Sequence, residues 1–186
     1  MAENALPNVP ATAISRINNG YQATMLAIGN NRFFPDQPVN NSFYWYVVVD
    51  LTNLKVVQNI AVAGSMAVPQ QVSQYLGNSQ YFLYFVSNVQ MGFNVPSGGL
   101  ATFLQEVGSG GQLASLEQMI GQLGTSMITS FSYVLAATMT NTDLPGFEAM
   151  SIYNSSPLTM AFMPVTVNGQ TIYAPIQTAV VATPAA

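Results

Sequence analysis

The chain alternates short, densely apolar stretches with polar segments rich in Asn, Gln, Ser and Gly, and the stretches have the length of strands. FYWYVVVD over 43–50 is aromatic and β-branched throughout, LTNL over 51–54 reads as a turn, and KVVQNIAVA over 55–63 supplies the second arm of a hairpin. QYFLYFVS over 80–87 is apolar on both faces, the pattern of a strand inside a sheet. SFSYVLAAT over 130–138 predicts a further strand, and YQATMLAI over 21–28 another, followed by a long loop GNNRFFPDQPVNN over 29–41. Helical signals fall between them. Pro69 opens a helix running to about Leu76 with Gly77 as its stop, and LATFLQEV over 100–107 is a second short helix. In QLASLEQMIGQLG, Leu113, Leu116, Ile120 and Leu123 share one stripe of an amphipathic helix that Gly124 ends.

The strongest short signal is Asn168-Gly169 between alternating β-formers, because a two-residue type I′ turn needs positive φ at both positions. That turn places Val167 opposite Gln170, Pro164 opposite Tyr173 and Pro175 opposite Phe162. Both prolines then sit where the missing N–H would have pointed away from the hairpin, so each outer edge is blunted once. At the other end, Pro7 and Pro10 among small residues favour an extended arm over a helix. The expected fold is α+β or α/β: a mixed β-sheet flanked by short helices, with an N-terminal arm over 1–15, a core domain over 16–158 and a C-terminal hairpin and tail over 159–186.

Within this span, VVVDLTNLKVV (47–57), a helix, YFLYFVS (81–87) and LEQMIGQLGTSMI (116–128) leading into YVLAAT (133–138) follow one another in an order that resembles the interleukin-like EMT-inducer domain family. The resemblance covers about residues 43–140. It implies helices around a sheet, a non-enzymatic role in extracellular or surface proteins, and sugar binding in some members. The chain departs from the animal members in having no cysteine, which removes their disulfide framework.

Composition narrows the function further. Of 186 residues only 5% are charged, with three basic side chains, Arg16, Arg32 and Lys55, and a formal net charge of -4. Typical soluble domains carry about 25% charged residues, so this surface must be finished with neutral amides, hydroxyls and glycine, which lets protein surfaces approach closely. No basic cluster exists to neutralise a row of phosphates, so nucleic acid is not an expected partner, and anionic membranes are disfavoured for the same reason. No apolar run approaches the roughly 18 residues of a membrane-spanning helix, and membrane insertion is not expected. The opening MAENALPNVP lacks a basic and apolar leader, so the expectation is cytoplasmic synthesis, with an extracellular or particle-associated assembly left open.

There is no histidine and no cysteine, so the residue types that most enzymes use near neutrality and most metal sites draw on are missing. Asp50 ends an apolar strand, where its carboxylate suits the backbone of the LTNL turn. Glu106 and Glu117 lie in predicted helices, Asp143 and Glu148 flank a Pro-Gly turn, and no spacing among them singles out a catalytic pair of the glycosidase kind. GSGG and PSGG lack the context of a phosphate cradle, and no calcium loop is present. The expected protein is non-enzymatic, without cofactor or metal. Its leading role is a structural subunit that self-assembles into a filament, shell, layer or crystalline deposit through low-charge surfaces and terminal arms, with Pro7, Pro10, Pro164, Asn168, Gly169 and Pro175 as the assembly residues. The alternative is a module that binds a glycan or a protein, with Phe33, Phe34, Tyr153 or Tyr173 stacking on a sugar face.

Overall fold

The computed structural model describes residues 6–15, 24–36, 43–63, 67–90, 95–123, 130–140, 145–152 and 155–177. The fold is α+β, and the described residues form two five-stranded sheets and three helices. One sheet, here sheet A, runs in the order β10 (Gln170–Gln177), β9 (Ser156–Val167), β1 (Val9–Ser15), β2 (Met25–Ile28), β3 (Asn31–Phe33). The other, sheet B, runs β5 (Lys55–Val62), β4 (Phe43–Asp50), β6 (Tyr81–Gln90), β7 (Ser130–Thr138), β8 (Phe147–Ile152). Every ladder among the described residues is antiparallel.

Sheet B explains why its central strands are apolar on both faces. Phe43, Trp45, Val47 and Val49 of β4, with Phe82, Tyr84 and Val86 of β6, pack against Ala11, Ala13, Leu26, Leu158, Met160 and Phe162 of sheet A. The alternate residues, Tyr44, Tyr46, Val48, Leu83 and Phe85, turn the other way. There they meet Val72 of α1 (Gln70–Ser73), Leu100, Phe103 and Leu104 of α2 (Gly98–Glu106), and Leu113 and Leu116 of α3 (Gly111–Leu123). The layers are thus sheet A, sheet B and helices, with sheet B enclosed on both sides. Polar side chains inside the sheet-to-sheet layer find partners. The Ser15 hydroxyl donates to the Ser87 carbonyl at 2.8 Å, and the Tyr84 hydroxyl to Met160 Sδ at 3.1 Å.

Several expectations change against this architecture. Residues 9–15 are extended, as Pro7 and Pro10 suggest, but they form a strand in the interior of sheet A, paired with β9 from Val9↔Phe162 to Ser15↔Ser156 and with β2 on the other side. Pro10 is tolerated because its register position falls at the end of the β1–β2 ladder, where Gly29 N–H donates to the Pro10 carbonyl at 2.8 Å and no N–H is required in return. The N-terminal segment and the C-terminal hairpin are therefore neighbours in one layer. The loop expected over 29–41 contains β3, paired with β2 through a turn at Gly29 and Asn30. The stretch after Asp143 contains β8, whose half-buried positions gave no alternation to read. The stripe of α3 ends early: Leu113 and Leu116 are buried, Ile120 is partly buried, and Leu123 is 53% exposed. Gly124, Asp143 and residues 21–23 of the expected first strand lie outside the described residues.

Candidate functional site

The C-terminal hairpin adopts the register its turn dictates: Val167 pairs with Gln170, Pro164 with Tyr173 and Pro175 with Phe162, and Asn168 and Gly169 have φ of 51° and 78°. Its surroundings differ from an edge hairpin free on both sides. β1 covers β9 as far as Phe162, so only Met163–Val167 run on without a partner on that side among the described strands, and Pro164 sits within that run. On the outer side of β10, Pro175 has no N–H to offer and Tyr173 N–H donates to the Leu51 carbonyl of the β4–β5 turn at 2.8 Å. The far side of sheet A ends in the three-residue β3, after which the chain passes to sheet B. There the Phe34 carbonyl accepts from Asn59 Nδ2 at 3.0 Å and Asp36 accepts from Ala61 N–H at 2.7 Å. Asn59 in turn accepts from Trp45 Nε1 at 2.6 Å. Both lateral edges of sheet A are thus blunted or tied to sheet B.

Its outward face is different. The residues alternating with the core positions are Pro10, Thr12 and Ile14 of β1, and Met25 and Ala27 of β2. On β9 they are Pro157, Thr159, Ala161, Met163, Val165 and Val167, and on β10 Gln170, Ile172, Ala174 and Ile176. Apart from Ala161, which is buried, these side chains are half-buried or exposed, with Met163 at 40%, Val167 at 45% and Ile172 at 37%. None of them belongs to either core cluster, and no described helix or strand lies over them. The four longer strands of the sheet contain no Asp, Glu, Lys or Arg, and Arg32 of β3 is the one charged residue whose register places it on this side. The face is mostly apolar and nearly uncharged, with Thr12, Thr159 and Gln170 as polar positions on its described strands.

A second feature lies at one end of the sandwich. A groove of about 820 Å³ is lined by Val9 at the start of β1, Gly29, Asn30 and Asn31 at the β2–β3 turn, Phe33, and Asn53, Leu54 and Lys55 at the β4–β5 turn. It collects amides, one cation and part of one aromatic ring. The four aromatic residues expected to stack on a ligand are not gathered there. Phe33 lines the groove but is partly packed on the core, Phe34 is 44% exposed beside it, and Tyr173 packs against the sheet-to-sheet core. Tyr153 lies outside the described residues. Pro7 is exposed and outside any strand.

The acids have backbone work. Asp50 accepts from Thr52 N–H at 2.8 Å and from the Thr52 hydroxyl at 2.7 Å, as its place before the LTNL turn suggests. Partial burial pushes its carboxyl up, but the bonds from Thr52, Gln80 and Asn53 outweigh that and hold it below the ordinary value. Glu148 reaches from β8 to the start of α3, accepting from Gly110 N–H and Gln112 N–H at 3.0 Å each and from the Tyr133 hydroxyl at 2.5 Å. It is the N-terminal cap that the sequence around α3 lacks, supplied from another element. Among the described residues no three acids gather into a cation site, and no helix is long and apolar enough to cross a membrane.

Comparison with protein-family models, curated proteins and solved structures gives no match.

Proposed function

We propose that this protein is a non-enzymatic structural subunit that associates with copies of itself. The observation that carries the reading is the outward face of sheet A, mostly apolar, almost uncharged and uncovered by any described element. Burying such a face releases water from apolar groups and desolvates few ions, so association gains free energy with little electrostatic opposition. The acids Asp50 and Glu148 support it indirectly, since both are committed to backbone N–H groups of the fold. Sedimentation and electron microscopy of the purified protein test the reading. Species larger than one chain are expected, and they should persist from low to high sodium chloride because there are few ion pairs to screen. A chain that stays monomeric at every concentration refutes it.

A second reading rests on the groove at the end of the sandwich. Asn30, Asn31 and Asn53 offer amide donors and acceptors beside Phe33 and Lys55, the residue types that hold a neutral sugar. Binding on an array of neutral oligosaccharides, lost on Asn53→Ala, favours this module; no binding on such an array removes it.

A further inference from the structure

Resting on the assembly reading above, we propose a specific mode: two copies of this chain pack sheet A against sheet A, outward face to outward face, about a two-fold axis. Strand addition at the edges of sheet A is disfavoured. β10 presents Pro175 and the already bonded N–H of Tyr173, and Pro164 interrupts the unpaired run of β9. β3 is only three residues long and leads straight into the contacts of Phe34 and Asp36 with sheet B. Sideways growth of sheet A is therefore hindered on both edges, while no described element lies over its face.

Charge selects a second copy as the occupant. A basic or acidic partner would find no complementary ions on the face, and a polar one would lose solvation without replacement. A copy brings the same neutral face, and Arg32, on the edge strand, stays at the rim in water. Area agrees. The four strands, of 8, 12, 7 and 4 residues at about 3.4 Å each and about 4.8 Å apart, project roughly 500 Å² per copy, and side-chain relief raises the accessible area above that. Two copies together then reach about 1,000 Å², the level a specific interface must clear. Facing sheets would sit about 10 Å apart with strands crossing near 30°, as stacked antiparallel sheets do. Met163, Val165 and Ile172 would occupy one flank of the contact and Ile14 and Met25 the other.

The test is sedimentation velocity over a concentration series of the full chain with Met163→Glu, Ile172→Glu and Leu123→Glu. Leu123, 53% exposed on α3, serves as the control away from the face. The two face variants should weaken self-association roughly tenfold or more, because each two-fold contact would bury like charges without partners. Leu123→Glu should associate as the parent does. Urea midpoints near the parent's show that the variants are folded; if Met163→Glu and Ile172→Glu do not fold, Thr159→Lys, on the same face and exposed, takes their place. A parent that assembles while the face variants assemble equally well overturns the face pairing and leaves the assembly reading standing. A parent that is monomeric throughout overturns both. Co-sedimentation of monomers with phosphatidylcholine vesicles, lost in Met163→Glu, would make lipid the occupant and overturn the second copy.

Discussion

Removing the Glu148 carboxylate should destabilise the fold by an amount the geometry lets one work out. Two of its bonds satisfy N–H groups at the start of α3, which has no acidic residue of its own in the first turn. Loss of an N-terminal cap costs about 1 kcal/mol. The third bond satisfies the hydroxyl of Tyr133, a fully buried side chain, and stranding a buried hydroxyl that had a charged acceptor costs about 1–3 kcal/mol. Glu148→Ala should therefore lose about 2–4 kcal/mol, a large part of the 5–15 kcal/mol that holds a typical domain together. Glu148→Gln keeps one acceptor oxygen and should lose about half as much. Urea unfolding followed by the fluorescence of Trp45, the single tryptophan and fully buried, measures both. Tyr133→Phe removes the hydroxyl that needs a partner, so the double variant Tyr133→Phe/Glu148→Ala should fall short of the summed single losses by about 1 kcal/mol or more. A loss under about 0.5 kcal/mol for Glu148→Ala, or full additivity in the double variant, would refute the idea that this carboxylate caps α3 and satisfies Tyr133.

Three further outcomes are expected. Gly146→Ala should destabilise by about 1–3 kcal/mol in urea unfolding, because a Cβ there would stand 2.7 Å from Leu135 Cδ1 and 2.9 Å from Ala137 Cβ in a packed layer; an unchanged midpoint would contradict that packing. Gly169→Val should cost about 1–2 kcal/mol with no steric contact to blame, since nothing lies within 4 Å and the strain comes from a φ of 78° that a β-branched residue resists; Gly169→Asn should be milder, and equal losses would point away from backbone strain. Stability should fall as pH rises above about 10, the value for tyrosine in the unfolded chain. Burial raises the hydroxyls of Tyr44, Tyr46, Tyr84 and Tyr133, with Glu148 and Glu117 adding to the rise at Tyr133. The folded state therefore keeps protons that the unfolded state releases, and this contribution is complete below pH 10 and lost above it. Tyrosinate absorbance exceeding that of five of the nine tyrosines before unfolding would show those four rings ionising in the folded state.

What the sequence disclosed is what short range decides. Asn168-Gly169 fixes a turn, and a turn fixes the register of every pair behind it, so the places of Pro164 and Pro175 were legible. The same holds for β4, β5 and Asp50, where strand, turn and carboxylate adjoin. Pairing at long range was not legible. Pro10 marks its segment as extended, but nothing in VPATAIS says that its partner is SPLTMAF, far along the chain. Apolar residues on both faces of β6 announce burial without saying that one cover is a second sheet and the other a helical layer. Glu148 reads as a turn residue until β8 carries it to α3. The open face of sheet A had no signal of its own, because an exposed alternation of Ile, Val and Met looks the same in sequence as a buried one.

The placement of β1 also bears on the order in which the molecule can be made. Sheet B and its helices come from one continuous span, residues 43–152, whereas sheet A joins the two ends of the chain, with Val9 against Phe162. Closing that loop carries a large entropic penalty unless an intervening structure has already brought the ends close. On a ribosome, β1 leaves first and waits for β9, the last but one strand to appear. Sheet B is then the template on which sheet A is completed, and β1, lacking its central partner, is the strand most open to wrong pairings in the interval. Pulse-labelling hydrogen exchange reads this order directly: amides of β6 and β7 should be protected before those of β1, and simultaneous protection would mean that the two sheets form together.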